Sequence, residues 1–328
     1  MGSSQLFLEI FAAEPSAATG VPFARYMELA MYHPTAGYYT RDFRRVGKDK
    51  AADFFTATTF SPVFVELVVA ATVRLLGRVP PGELTFVEIG AEPAGGALKN
   101  VAHPFKEYRT ISFGQPITLP PRCVAFSNEL FDAQPFHRVV FRRGAWRELG
   151  VALQDGALRE VELAAFSPEV AAAANRLPAA AANDYHLDLP LRTETILQPI
   201  AAQPWTGLFL AFDYGKSWRE LAEELPGGTG RTYYRQKMGS DLLGRPGEQD
   251  LTCHVCWDWL ADGLQNRGFG EAVVESQESF FMRHAAPALE AITTAEAGKF
   301  SPRKQMVQQL LHPGNMGRKF QALHALRV

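Results

Sequence analysis

Three short apolar runs, each closed by polar residues, constrain this chain more than any other feature. Leu84-Thr-Phe-Val-Glu-Ile89 runs into Gly90, and Cys123-Val-Ala-Phe126 runs into Ser127-Asn128-Glu129. Leu208-Phe-Leu-Ala-Phe212 runs into Asp213-Tyr214-Gly215. A short continuous apolar run bounded by turn residues reads as a strand buried on both faces, the pattern of a parallel sheet. Ligands of such sheets gather at the carboxyl ends of the strands. The polar residues that close the runs therefore mark one edge as the candidate site, in an α/β fold.

The segments around these strands complete the expected architecture. Phe23, Met27, Ala30 and Met31 recur at helical spacing, and His33-Pro34 ends that helix. A second amphipathic helix opens at Ser61-Pro62 and carries Val63, Phe64, Leu67, Val68, Ala71 and Leu75. Pro80-Pro81-Gly82 breaks the chain, which places an N-terminal helical lobe over residues 1–80 and a core over residues 81–328. Within the core, an insertion is expected at about residues 138–200. Arg138 to Leu163 alternates, with turns at Gly144 and Asp155-Gly156, and reads as a β-hairpin or meander. The alanine-rich stretch Pro168 to Ala182 reads as a helix, as does Asp258 to Gly268 with its glycine stop. No internal repeat is evident.

Charge and composition exclude several functional classes. With 33 basic and 35 acidic residues, the formal net charge is -2, which offers no electrostatic footprint for nucleic acid. Of the 328 residues, 47% are hydrophobic and 21% charged, enough apolar sequence for a large core. No apolar stretch is long enough to cross a bilayer, because Glu66 and Arg74 interrupt the nearest candidate, Phe64 to Leu76. The first twenty residues lack a signal-peptide pattern, and three cysteines cannot close a disulfide framework, so a cytoplasmic setting is expected. Cys253-His-Val-Cys256 supplies too few ligands for a zinc site, and no metal is expected.

The sharpest chemical signal follows the first run, in Glu88-Ile-Gly90-Ala-Glu92-Pro-Ala-Gly95-Gly96. A glycine-rich strand-to-helix turn lets backbone approach a ligand, with free N–H groups turned toward an anion. Glu88 is a buried carboxylate that needs donors, from a ligand or from the following backbone. Asn128 and Glu129 read either as site residues at a strand end or as turn and helix-cap residues. Asp213 and Tyr214 either line the pocket or shape a turn.

Further segments resemble the MidA-like family of class I methyltransferases, which includes a mitochondrial complex I assembly factor that methylates an arginine. Phe23-Ala-Arg-Tyr-Met27, Tyr32-His-Pro34 and Gly37-Tyr-Tyr39 are similar to its N-terminal signature, and Asp53-Phe-Phe-Thr56 with Ser61-Pro62 to its next motif. Val87-Glu-Ile-Gly-Ala91 resembles the donor-binding strand, and Ser127-Asn-Glu-Leu-Phe-Asp-Ala133 the family's Asn-Glu-x-x-Asp-Ala stretch. Asp213-Tyr-Gly215, Pro246-Gly-Glu-Gln-Asp-Leu-Thr252 and Met316-Gly-x-x-Phe320 fall in family order. The resemblance spans roughly Phe23 to Leu326.

It implies a seven-stranded, Rossmann-like sheet that binds S-adenosylmethionine and methylates an arginine on a partner protein, such as a respiratory-complex subunit. The implied donor contacts are Glu88, Gly90, Ala91, Gly95, Gly96, Asp53, Thr56 and Asn128. Asn128, Glu129 and Asp132 would act on the transferring methyl and the guanidinium, with Tyr38, Phe54, Asp213 and Tyr214 lining the pocket. The sequence departs from the family's Glu-x-Gly-x-Gly-x-Gly loop, since Glu92 stands at the second glycine and Ala94 at the third. Thr58-Thr59 replace a common Pro-Glu, and Leu98 to Arg122 is short for the usual helix, strand and helix. Glu107 is the nearest acid for a ribose contact and precedes, rather than ends, its run. These departures motivate an alternative of a different class, a donor-less methyltransferase-like binding or assembly protein. A nicotinamide-dependent oxidoreductase is disfavoured, because neither an intact glycine fingerprint nor a ribose-binding acid is present.

Overall fold

All three apolar runs form strands of one sheet, as Thr85–Ile89, Arg122–Asn128 and Thr206–Asp213. The computed structural model describes residues 3–40, 62–91 and 95–328. The chain divides into two compact units, each assembled from three stretches of sequence. One comprises Met1–Phe54, Asp132–Thr193 and Lys216–Cys256, and the other Phe55–Phe131, Glu194–Gly215 and Trp257–Val328. The helix Pro62–Leu76, read from the sequence as part of an N-terminal lobe, thus belongs with the sheet.

That sheet has six strands in the order Val273–Ser276, Gln321–Arg327, Thr206–Asp213, Arg122–Asn128, Thr85–Ile89 and Glu107–Ile111. The last four run parallel, and Gln321–Arg327 is antiparallel to both its neighbours. From Thr85–Ile89 the chain crosses first to Glu107–Ile111 on one side, then to Arg122–Asn128 on the other. The carboxyl end of Thr85–Ile89, at Gly90, is therefore the topological switch point where such sheets bind ligands.

Alternation along the strands sends Phe86, Val124, Phe126, Leu208, Leu210, Phe212 and Ala322 to one face. They pack there against Phe64 of the helix Pro62–Leu76 and Phe280 and Phe281 of the helix Gln277–His284. Phe212 is the hub, with ring centroids 5.3 Å from Phe64, 5.2 Å from Phe280 and 5.5 Å from Phe281. Aromatic pairs at such distances add to the burial that holds helices on a sheet.

Two features of a full seven-stranded core are missing among the described residues. Residues 95–106 carry turns but no helix, and residues 112–121 carry neither helix nor strand. The short Leu98 to Arg122 segment thus holds only the strand Glu107–Ile111, and the sheet has six strands instead of the seven that the resemblance implies.

The other unit is built on an antiparallel sheet in the order Val21–Pro22, Ala145–Gln154, His137–Arg142 and Tyr185–Leu189, with Ala157–Glu162 also pairing Ala145–Gln154. The expected meander is present, turning at Arg143-Gly144 and Asp155-Gly156. The helices Ser3–Ala12 and Phe23–Tyr32 supply Phe7, Phe11, Phe23, Tyr26 and Met27 to its core. The alanine-rich helix is much shorter than its composition suggests. It covers Pro168–Ala172, followed by a single tighter turn at Ala174–Arg176. Only Val170 of its α-helical part is buried, and Pro178 stops any continuation, so helix propensity has little packing to support it.

Candidate functional site at the carboxyl edge of the parallel sheet

Glu88 sits one residue before the end of its strand, on the face that carries Phe86, and is 7% exposed. Its Oε2 accepts a 2.7 Å hydrogen bond from the Ala97 backbone N–H and another from the Tyr108 hydroxyl. Burial raises its pKa above the ordinary carboxylate range, and these two donors offset part of that rise. Tyr108 is held in its neutral form, its pKa raised by burial and by Glu88 beside it. Through Oε2, Glu88 thus holds the returning chain at Ala97 and Tyr108.

Gly90 and Gly96 each have a physical reason to be glycine. Gly90 has φ of +85°, and a Cβ there would meet Leu130 Cδ1 at 2.9 Å. A Cβ at Gly96 would lie 2.6 Å from both Glu88 Oε2 and Thr110 Cγ2, and closer still to the Tyr108 hydroxyl. The space beside Gly96 is therefore filled by the chain's own tyrosine. The Gly90 and Ala91 N–H groups both donate to the Ile111 carbonyl, at 2.8 and 3.2 Å. Gly95 also adopts positive φ, with Lys99 against it. Of the amides in this turn, those of Gly90 and Ala91 are spent on the neighbouring strand and that of Ala97 on Glu88.

The adjacent strand end is different. Asn128 Oδ1 and Ser127 Oγ are buried without a hydrogen-bond partner, and Asn128 Nδ2 donates to Glu129 Oε1 at 2.9 Å. Glu129 has φ of 53°, a left-handed conformation uncommon for a residue other than glycine. Its N–H donates to the Phe212 carbonyl at 2.9 Å, which fixes that turn to the next strand. Buried polar atoms are normally satisfied, so an unpartnered acceptor at a switch point calls for a donor from a ligand.

Asp213 is fully buried and accepts 2.8 Å hydrogen bonds from the Phe131 and Tyr214 N–H groups. It shapes two turns at the carboxyl edge. The ring of Tyr214 lies 4.0 Å from that of Phe320, and Gly215 donates to Gln321 Oε1 at 2.9 Å. Glu107 lies at the amino end of its strand, opposite Thr85, and pairs with Arg109. It is four residues away from the edge that a ribose contact requires.

Tyr38 and Asp132 belong to the other unit and are both buried. Tyr38 packs edge-on to Tyr39, whose hydroxyl donates to Asp250 Oδ1 at 3.2 Å. The Asp132 carbonyl accepts from the Cys253 N–H at 3.0 Å. Asp53, Phe54 and Thr56 lie outside the described residues. Sequence reasoning missed Tyr108, and it placed Ser127 and Leu130 in the strand-end stretch without giving either a role. Their roles depend on strand register and on which side chain covers which glycine, and no spacing in the chain signals that.

Comparison with known proteins fits this geometry. A family model described as "Putative S-adenosyl-L-methionine-dependent methyltransferase" matches residues 80–271, more than half of the chain. Two solved structures from Burkholderia thailandensis are similar over nearly the whole chain. One, a COG1565 superfamily member bound to S-adenosyl-homocysteine, is 26% identical with a TM-score of 0.85, covering 99% of this chain and 92% of its own. The other, a native COG1565 superfamily structure, is 25% identical with a TM-score of 0.82 and the same coverage. No curated protein matches the sequence. With this sheet, this switch point and that match, the chain belongs to the S-adenosylmethionine-dependent methyltransferase family.

Proposed function

We propose that the chain binds S-adenosylmethionine at the carboxyl edge beside Gly90 and Asn128, and methylates a guanidinium nitrogen of an arginine on a partner protein. The observation that carries this reading is the buried, unpartnered Asn128 Oδ1 at the switch point, next to Glu129 in a left-handed turn. An acceptor lacking a donor fits a ligand that presents N–H groups or positive charge, as the donor's amino group and an arginine both do. That the 26% identical Burkholderia protein is bound to S-adenosyl-homocysteine supports donor binding by this chain.

The donor arrives with its methyl group already activated on a sulfonium, so the protein's task is to bind and align. Asn128 would take the donor's N–H groups on Oδ1, and Leu130, over Gly90, would keep water from the strand end. Glu129 is anchored through its own N–H and through Asn128 Nδ2. Its carboxylate would hold a guanidinium by charge-assisted hydrogen bonds and stabilise positive charge while the proton leaves. Glu88 would support the turn without touching the ligand. The arginine preference, a MidA-like identity and a respiratory-complex acceptor rest on the sequence resemblance, a cytoplasmic setting rests on the three free cysteines, and a division of the chain at residue 80 rests on the Pro80-Pro81-Gly82 break.

A second reading has its own observations. Tyr108 fills the space beside Gly96, the Gly90, Ala91 and Ala97 amides are spent inside the chain, and residues 95–106 form no helix to face an anion. These favour a donor-less binding module in which the sheet serves as a docking scaffold. The two separate in one assay, transfer of labelled methyl from S-adenosylmethionine to the proteins of a cell extract, read as methylarginine after hydrolysis. Label in methylarginine that Glu129→Gln abolishes supports the first reading. Label in another residue overturns the arginine assignment, and no label from a folded sample favours the module.

A further inference from the structure

Away from the carboxyl edge, three side chains with metal-ligating atoms converge on one point. Glu275 lies in the edge strand Val273–Ser276, His324 in Gln321–Arg327, and His284 closes the helix Gln277–His284. His284 Nε2 stands 2.7 Å from Glu275 Oε2, and His324 Nε2 stands 3.1 Å from the same oxygen. The three atoms all lie within 4.8 Å of one another. The cluster is enclosed, with Glu275 8% and His324 9% exposed. Phe280, one helical turn before His284, packs its ring against both imidazoles, at 5.1 and 5.7 Å.

We propose that Glu275, His284 and His324 form a zinc site that fastens the end of the helix Gln277–His284 to the edge of the sheet. Zinc takes histidine nitrogen and carboxylate oxygen at about 2.0–2.2 Å, so tetrahedral ligand atoms sit about 3.3 Å apart. Glu275 Oε2 stands about 0.2 Å inside that spacing from His324 Nε2 and about 0.6 Å inside it from His284 Nε2, so His284 must draw back slightly to admit the ion. Two imidazoles with one carboxylate select a borderline cation over calcium or magnesium, and water completes the fourth position. On binding, each ring coordinates through Nε2 as a neutral imidazole, its proton moving to Nδ1. Arg283 Nη1 lies 2.7 Å from Glu275 Oε1 as an ion pair without hydrogen-bond geometry, which leaves that buried oxygen without a hydrogen bond.

This site departs from the expectation of no metal. Its ligands come from three elements, with His284 nine and His324 forty-nine residues from Glu275, so no short motif reveals them. Cys253 and Cys256, the metal candidates in the sequence, are buried in the other unit. A cation here would stiffen Gln321–Arg327, the strand whose first residue lies opposite Asp213.

The test is a titration of chelator-treated full-length chain with Zn²⁺, followed by calorimetry and metal analysis, and a parallel Co²⁺ titration read by visible absorption. The proposal expects one equivalent of zinc, and Co²⁺ bands of a nitrogen and oxygen site without sulfur charge transfer. His284→Gln and His324→Gln keep an amide donor toward Glu275, so the fold is retained, and each weakens zinc by about tenfold or more. Cys253→Ser with Cys256→Ser leaves the equivalent in place. No retained equivalent, a site that survives both glutamine variants, or sulfur charge transfer lost with the cysteines overturns the proposal. Should the glutamine variants fail to fold, the wild-type Co²⁺ spectrum and the cysteine variant still decide it.

Discussion

Gly96→Ala tests most sharply how the glycine turn is built. The new Cβ would lie 2.6 Å from Glu88 Oε2 and from Thr110 Cγ2, and closer to the Tyr108 hydroxyl. Contacts of that kind force neighbours to move, and overpacking of a closed site costs about 1–3 kcal/mol. Displacing Tyr108 also breaks its hydrogen bond to the buried Glu88 carboxylate, worth a further 1.5–3 kcal/mol or so. Gly96→Ala should therefore destabilise by roughly 2.5–6 kcal/mol. Tyr108→Phe alone loses the hydrogen bond and costs about 1.5–3 kcal/mol. In the double variant the hydroxyl is gone and the worst contact with it, and the hydrogen bond is lost once instead of twice, so the costs should fall short of their sum by about 1.5–3 kcal/mol. Urea unfolding of the four proteins measures this coupling, with the slope against denaturant checked for constancy. Additivity within about 0.5 kcal/mol would refute the packing of Tyr108 against Gly96. The same series bears on function, because Tyr108→Ala empties that space. Tighter S-adenosyl-homocysteine binding by Tyr108→Ala is expected if the tyrosine obstructs the donor.

Other residues give further expectations. Burial raises the Glu88 pKa, so the folded chain holds that proton more tightly than the unfolded one. Stability from this group is present below the ordinary carboxylate range and lost as pH rises through the raised value; Glu88→Gln should flatten that slope in unfolding measured across pH. His254 behaves oppositely. Burial, and then Lys216 and Arg231, lower its pKa to about 4, so stability should fall as pH drops from the ordinary histidine range toward 4. His254→Gln should remove that loss, and an unchanged acid limb of the stability curve would contradict the assignment. Glu129→Gly should relieve the left-handed backbone and stabilise by about 0.5–1 kcal/mol while abolishing methyl transfer, a divergence read by thermal unfolding beside the transfer assay.

Much of the sheet is legible in the sequence because its strands are buried on both faces. The runs ending at Ile89, Phe126 and Phe212 lack the alternation of half-exposed strands, and the structure joins them in parallel. The strand ends at Asn128 and Asp213 are legible for the same reason, since polar residues closing such a run have one edge to occupy. What those residues do there is less legible. Asp213 reads equally as pocket or turn until the Phe131 and Tyr214 amides are seen on its carboxylate. Tyr108 is invisible in the sequence, because its role follows from the register that sets Phe86 against it and Glu88 against Thr110. The alanine-rich stretch misleads, because propensity without a buried face does not extend a helix. The two units also escape a linear reading, since each gathers three separated stretches of chain.

The most direct test of the account is calorimetric titration of the folded chain with S-adenosyl-homocysteine, repeated with Asn128→Ala. The account predicts one binding event per chain that Asn128→Ala weakens by about tenfold, the loss of one buried hydrogen bond of about 1.4 kcal/mol. Absence of heat at millimolar ligand, from a sample shown to be folded, would contradict donor binding at this edge.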